Sequence, residues 1–123
     1  MNKQRIDGYM EKAIGLLKNS GVAQNGKIPK TFRGYISSFG AAITMGSLRS
    51  AIAFNSEQGG AVSERQKLME IIHKLIKEPN EQEDEKLLKY VIRKNNDVEL
   101  KEKIIDAAIA VKLAMNMYQL EKE

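Results

Sequence analysis

The stretch Ala107-Ala-Ile-Ala-Val-Lys-Leu-Ala-Met-Asn-Met-Tyr118 decides how this chain folds, because its apolar residues surround a helix almost completely. Lys112 and Asn116, one turn apart, are the polar exceptions. A helix that is apolar on every side must be covered on every side. The stretch is far shorter than the roughly 20 residues that a membrane-spanning helix needs. We therefore predict the central helix of a bundle, with part of its surface at a seam with another subunit.

Outward from this stretch, apolar residues recur at the three- and four-residue spacing of helices, and no run alternates as strands do. The predicted fold is all-α, a single-domain bundle of five to six helices that occupies residues 1–123. The predicted helices cover residues 4–19, 30–45 and 48–55, a fourth segment from the Ser63 capping box to Pro79, a fifth that ends at Asn95-Asn96, and a sixth over 98–120.

Cap and turn residues mark the predicted helix ends. Ser20-Gly21 ends the first helix, since glycine tolerates the left-handed conformation of a helix terminus. Residues 22–29, which contain Asn25-Gly26, are predicted to form a loop. Ser47 is the predicted N-cap of the third helix, and Asp97 that of the sixth.

The chain carries a formal charge of +4, and this charge is unevenly distributed. Residues 1–56 hold eight Lys and Arg against two acidic residues, which gives +6. Residues 57–123 hold twelve against fourteen, which gives −2. Such polarity suits an anionic partner on one side or head-to-tail association of copies, and chance clustering of surface charge is the plainer alternative.

Residues for catalysis or for a cofactor are missing from the sequence. There is no cysteine, and His73 is the single histidine, so a catalytic dyad or a His/Cys metal site cannot be built. We expect His73 to be a partly exposed structural residue. The acidic group at Glu81, Glu83, Asp84 and Glu85 lacks the ligand spacing of a calcium loop and is predicted to be a solvated linker and helix start. Glycine-rich phosphate loops are also absent. We predict a protein that is not an enzyme and has no metal, no cofactor and no membrane segment; with no secretory signal visible, a cytoplasmic location is expected.

Two groups of residues bear on nucleic-acid binding. Phe32, Tyr35 and Phe39 lie on the apolar stripe of the second helix, so burial is favoured over a base-stacking platform. Basic residues of the N-terminal part are the stronger candidates, because such side chains contact phosphate oxygens in a salt-sensitive way. The predicted RNA-binding residues, taken as a group, are Arg5, Lys12, Lys27, Lys30, Arg33 and Arg49.

The stretch Tyr35-Ile-Ser-Ser-Phe-Gly-Ala-Ala-Ile-Thr-Met-Gly-Ser-Leu-Arg-Ser-Ala-Ile-Ala-Phe54 resembles a specific family. It is similar to the small all-helical subunit of the type III-B CRISPR–Cas effector, the Cmr complex. That family pairs a helix carrying a tyrosine and small residues with an Ile-x-x-x-Gly-Leu turn and an Ala-Phe helix. Residues at these places are Ile43, Met45-Gly46, Leu48, Ala51, Ala53 and Phe54. The chain has Leu113-Ala-Met-Asn116 where the family's closing helix usually carries a tryptophan and basic residues.

The resemblance implies a non-catalytic scaffold subunit in RNA-guided antiviral defence. Several copies would stack head to tail along a duplex of crRNA and target RNA, beside the other subunits of the effector complex. Cleavage would belong to those neighbours. The alternative is a protein-only helical adaptor or homo-oligomer without any role in nucleic-acid binding.

Overall fold

The computed structural model describes residues 1–56, 62–79, 85–94 and 98–121. Within these residues the chain forms six α-helices, one 3₁₀ turn and two short strands, which confirms the predicted all-α, single-domain bundle. The elements are α1 (Lys3–Asn19), β1 (Lys27–Pro29), α2 (Lys30–Met45), α3 (Leu48–Phe54), α4 (Val62–Ile76), α5 (Leu87–Lys94), α6 (Val98–Ala114), the 3₁₀ turn Met115–Met117 and β2 (Gln119–Glu121).

Helix α6 lies at the centre of the bundle and packs against α1, α2 and α4. Small side chains let these neighbours approach closely, and Ala107, Ala110 and Ala114 are fully buried. The predicted central helix is therefore confirmed, although it is shorter than expected. The prediction ran to Leu120, whereas the chain leaves the α-helix at Ala114 and returns toward the loop before α2.

Two hydrogen-bonded contacts fix the direction of α1 relative to α6. Near the start of α1, Arg5 Nη1 donates to Asp106 Oδ2 at 3.0 Å. Nine residues further along α1, the carbonyl oxygen of Ile14 accepts a 2.7 Å hydrogen bond from the Tyr118 hydroxyl. Residue numbers increase in the same direction on both sides of these two contacts, so α1 and α6 are parallel. Arg33, near the start of α2, bonds to Asn116 beyond the end of α6, so α2 runs the opposite way.

The predicted helix caps can be compared with the structure at two ends. Ser47 caps α3 as predicted, since its hydroxyl accepts a 3.1 Å hydrogen bond from the Ser50 amide. At the end of α1, Gly21 adopts the left-handed conformation with φ of 85°, which supports the predicted helix stop. The predicted capping residue Asp97 and the Asn95-Asn96 stop lie outside the described residues, as does the predicted acidic linker apart from Glu85.

The prediction that the chain contains no strands is wrong for two three-residue segments. Lys27–Pro29 pairs in parallel with Gln119–Glu121, with Ile28 opposite Leu120. The Gln119 amide extends the pairing by donating to the carbonyl of Gly26 at 2.9 Å. We call this pair the ribbon, and the end of the bundle that carries it the ribbon end. It joins the loop after α1 to the segment after α6.

Several side chains differ in exposure from the prediction. The helical spacing of Leu87, Leu88, Val91 and Ile92 predicts the core face of α5, whereas in the structure Tyr90 is buried and Ile92 is 49% exposed. His73 was expected to be partly exposed, but it is buried against Tyr90, with ring centroids 4.9 Å apart. Phe54 is one of the apolar residues at helical spacing in α3, yet it is 60% exposed. These differences share one cause, because helical spacing defines a broad face and tertiary packing decides which edge of it is covered.

Glu85, just before α5, forms a two-pronged ion pair with Arg93 on the last turn of that helix. Arg93 Nε donates to Oε1, and its Nη2 donates to Oε2, both at 2.9 Å. This hydrogen bonding holds the pKa of Glu85 below its ordinary value. A carboxyl with a depressed pKa stabilises the fold above its unfolded-state pKa, and this contribution disappears as pH falls through the folded-state value.

We expect Arg93→Gln to raise the pKa of Glu85 toward that of an ordinary glutamate, because the charged donor is lost. A carboxyl-detected NMR titration would measure this change. In urea unfolding, the variant should be less stable than the wild type near neutral pH, and the difference should vanish below the folded-state pKa of Glu85. Lys12→Gln, which removes an exposed charge from α1, is the control. An unchanged Glu85 titration in Arg93→Gln would contradict the assigned cause.

Candidate nucleic-acid interface

The ribbon begins with a tight turn at Asn25-Gly26. Both residues have positive φ, 55° and 75°, which is the conformation of a type I′ turn. On either side, Gln24 and Lys27 exchange backbone hydrogen bonds of 2.9 and 3.0 Å. Asparagine followed by glycine is the pair that this turn favours, so the local sequence determines where Lys27 enters β1. The Lys27 side chain is exposed there.

The first turn of α2 adds two more cations at the same end of the bundle. Lys30 is the first residue of the helix and is exposed. Arg33 follows one turn later and donates from Nη1 to Asn116 Oδ1 at 2.5 Å. Pro29, at the N-cap position, has no side chain that can bond to the first amides of the helix. Cations together with the positive end of a helix dipole suit a phosphate group.

Acidic residues moderate the charge at one side of the ribbon end. A pocket of about 220 Å³ is lined by Lys27 and Lys67 and also by Glu64 and Glu121. Opposite charges at such close range reduce the local positive potential. The face formed by Lys30 and Arg33 has no acidic residue in its helix turn. A polyanion would therefore approach from the α2 side rather than over this pocket.

The sequence analysis missed three further lysines at the ribbon end. Lys18 lies in the last turn of α1, Lys67 near the start of α4, and Lys112 in the last turn of α6. The end of α1 leads into the loop before β1, and the end of α6 leads into β2. Lys67 of α4 lines the same pocket as Lys27. These positions are far apart in sequence, so residue spacing carried no signal for them. The packing of α1, α4 and α6 in the bundle was the missing information.

Arg5 points inward rather than toward a ligand. Its guanidinium bonds to Asp106, and the two side chains are only 20% and 2% exposed. The Asn2 amide also donates to this carboxylate, and Glu99 lies 3.9 Å from Arg5 Nη2. Burial raises the pKa of the neighbouring Tyr9 phenol, and the Arg5 charge opposes part of that rise. Arg5 is thus engaged in holding α1 to α6.

The other two predicted cations lie away from the ribbon end. Lys12 is exposed midway along α1. Arg49 lies on α3, beyond the far end of α2, and borders a groove with Val98 and Lys101. At 1.5 Å per residue, α2 separates Arg49 from Arg33 by about 20 Å. The six predicted residues therefore form no single patch; Lys27, Lys30 and Arg33 are the set that the fold brings together.

Metal-binding groups and membrane-spanning helices were also sought among the described residues. No group of three or more His, Cys, Asp or Glu side chains within residues 1–56, 62–79, 85–94 and 98–121 is arranged to hold a metal ion. No helix in these segments combines the length and apolar character needed to cross a bilayer. Phe32 and Phe39 are buried as predicted, whereas Tyr35 is only half-buried.

Comparison of the chain with protein-family models, with curated proteins and with solved structures finds no match.

We expect Arg5→Met to lower the free energy of unfolding by about 3 kcal/mol, because it leaves the buried Asp106 carboxylate without its cation. Urea denaturation would measure the loss. The double variant Arg5→Met/Asp106→Leu should recover most of it, since replacing both partners by apolar side chains removes the uncompensated charge. Lys12→Met, two turns along on the same helix, should change stability by less than about 0.5 kcal/mol. Equal stability of Arg5→Met and this control would contradict the structural role of Arg5.

Proposed function

We propose that this chain is a non-catalytic RNA-binding scaffold subunit that contacts the phosphate backbone through the ribbon end. The observation that carries this proposal is the grouping of Lys27, Lys30 and Arg33 by the Asn25-Gly26 turn and the start of α2. Side chains of this kind bind phosphates without reading sequence. By the resemblance of Tyr35–Phe54, the RNA would be a crRNA–target duplex in a type III-B CRISPR effector. Several copies would stack along it beside the other subunits.

The geometry supports binding to the RNA backbone in preference to base reading in a duplex. Lys27, Lys30 and Arg33 come from a strand and from one helix turn, so this group does not present a helix lengthwise to a groove. The major groove of an RNA duplex is too deep and narrow for side-chain reading in any case. Contacts to phosphates and ribose, repeated by successive copies, would suffice for a scaffold that follows a strand of any sequence.

A protein-only adaptor or homo-oligomer is the second candidate, and a specific surface favours it. A groove of about 610 Å³ lies between the starts of α3 and α6 and one side of α5. Its apolar lining includes Leu48, Val91 and Leu100. Val98, which also lines the groove, is an apolar residue that is 74% exposed. Such a surface suits contact with another protein.

The triple variant Lys27→Gln/Lys30→Gln/Arg33→Gln tests the proposed function. We expect its affinity for RNA to fall about ten- to a hundredfold near 0.1 M salt, and uniformly across RNA sequences. For single-stranded RNA, the slope of log affinity against log salt should decrease in size by about 2, because three phosphate contacts are lost. Fluorescence anisotropy at several salt concentrations would measure both quantities.

The matched control is Lys74→Gln/Lys86→Gln/Lys89→Gln, which removes the same charge from exposed positions away from the ribbon end. Circular dichroism would verify that both variants are folded. Equal RNA affinities for the two triple variants would show that net charge alone matters and would count against the ribbon end.

Size-exclusion chromatography with and without RNA distinguishes the two candidate functions. Assembly that is independent of RNA favours the adaptor, and RNA-dependent assembly favours the scaffold.

A further inference from the structure

Arg65, near the start of α4, lies against two aromatic rings. Its guanidinium carbon is 4.8 Å from the centroid of the Tyr35 ring and 5.1 Å from that of Phe54. The rings come from α2 and from the end of α3, so three helices meet at this point. A guanidinium held over aromatic faces is restricted in orientation, yet its N–H groups at the edges stay available as donors.

The guanidinium N–H groups of Arg65 have no carboxylate partner among the described residues, unlike those of two arginines that stabilise the fold. Arg5 and Arg93 direct their guanidinium groups to Asp106 and Glu85. Among the residues that the structure describes, no hydrogen bond or ion pair uses the Arg65 guanidinium. The group is therefore held by stacking, and no residue that the structure describes takes up its donors. An oxyanion is the ligand that a guanidinium fork binds best.

Phe54 provides a second recognition feature beside Arg65. Ala51 and Ile52 on α3 are buried in the core, whereas Phe54 at the end of the helix is 60% exposed. Exposed aromatic rings next to an arginine are typical of sites that stack nucleobases, since every base offers a π-face. The half-buried Tyr35 supports the cluster from the side of α2.

The exposed face of α2 connects this cluster with the ribbon end. Arg33 and Tyr35 flank Gly34, which is exposed and has no atom within 4 Å of the place that a Cβ would take. At 100° per residue, Arg33 and Tyr35 lie on opposite flanks of that face. The exposed side chains along its middle are short, Ser37 and Ala41 among them. A single strand could thus cross α2 closely, from the cations on one flank to the aromatic cluster on the other.

We propose that Arg65, Phe54 and Tyr35 form a binding site for one nucleotide of single-stranded RNA, in which Arg65 donates to the phosphate and a base stacks on Phe54. This inference rests on the proposed RNA-binding function and adds a site outside the ribbon end. It also assigns a ligand chemistry, since a base must be unpaired and unstacked to reach Phe54. A closed RNA duplex offers the phosphate but no free base.

Two conservative substitutions test the site in the full-length protein. Arg65→Lys keeps the charge but lacks the planar fork, and Phe54→Leu keeps an apolar side chain but lacks the ring. We expect each to weaken binding of a fluorescein-labelled oligouridine by about tenfold. Binding of a fully paired RNA duplex should change much less in Phe54→Leu. Lys74→Gln, which removes a charge from the exposed side of the same helix, should alter oligouridine binding by less than about twofold.

Photo-crosslinking supplies a readout that a merely structural role would not produce. Trypsin cleaves after Arg49 and Arg65 and nowhere between them, so residues 50–65 form one peptide that contains Phe54. With RNA that carries 4-thiouridine, this peptide should be crosslinked in the wild type and lose most of its crosslinking in Phe54→Leu. Peptides of the ribbon end should still be crosslinked in that variant.

The outcomes separate the two proposals. If the wild type binds RNA and both Arg65→Lys and Phe54→Leu bind oligouridine like the Lys74→Gln control, the nucleotide site is wrong and the ribbon-end function stands. If the wild type binds neither oligouridine nor duplex, both proposals are wrong. Weakened binding in the two variants with retained melting temperatures, together with crosslinking of residues 50–65, supports the site.

Discussion

The packing of three helices against α6 is the interaction on which the rest of the structure depends. The alanines of α6 remove the bulk that would hold these neighbours apart, whereas Leu113 on the uncovered side stays 42% exposed. The buried Arg5–Asp106 pair then sets the position of α1 along this axis. A buried charge needs a partner in one geometry, so such a pair specifies register better than apolar contacts do. Since α1 is parallel to α6 and α2 is antiparallel to both, the end of α1, the start of α2 and the end of α6 meet at the ribbon.

The helices could be predicted closely, because helical periodicity and local caps need only neighbouring residues. The start of α3 at the Ser47 cap and the end of α1 before Gly21 are of this kind. The ribbon could not be predicted, since Ile28 and Leu120 are far apart in sequence and each strand is too short to show alternation. The same holds for Arg5. Seen locally it is one more cation of a basic segment, and its acidic partner lies on the last helix.

The candidate site was predictable in part for the same reason. Lys27, Lys30 and Arg33 are close in sequence and remain close in space, so the sequence and the structure agree about them. Arg49 is distant from these three residues in sequence, and the length of α2 separates it from them in space. Phe54 was not predicted as a binding residue because an apolar residue on a helical pattern is assigned to the core by default, and Arg65 was not because its aromatic neighbours lie on other helices. Only the packing of α3 reveals that this ring faces outward.

The ribbon has a consequence for how the protein matures during synthesis. Domains begin to form from the N-terminal side while translation continues. The segment around Lys27 emerges early, but its backbone partner, Gln119–Glu121, is among the last parts of the described chain to leave the ribosome. A nascent chain can therefore assemble its first helices and still lack a finished ribbon end. The surface with the grouped lysines becomes complete only after Glu121 has been made, which delays any encounter with a polyanion that requires it.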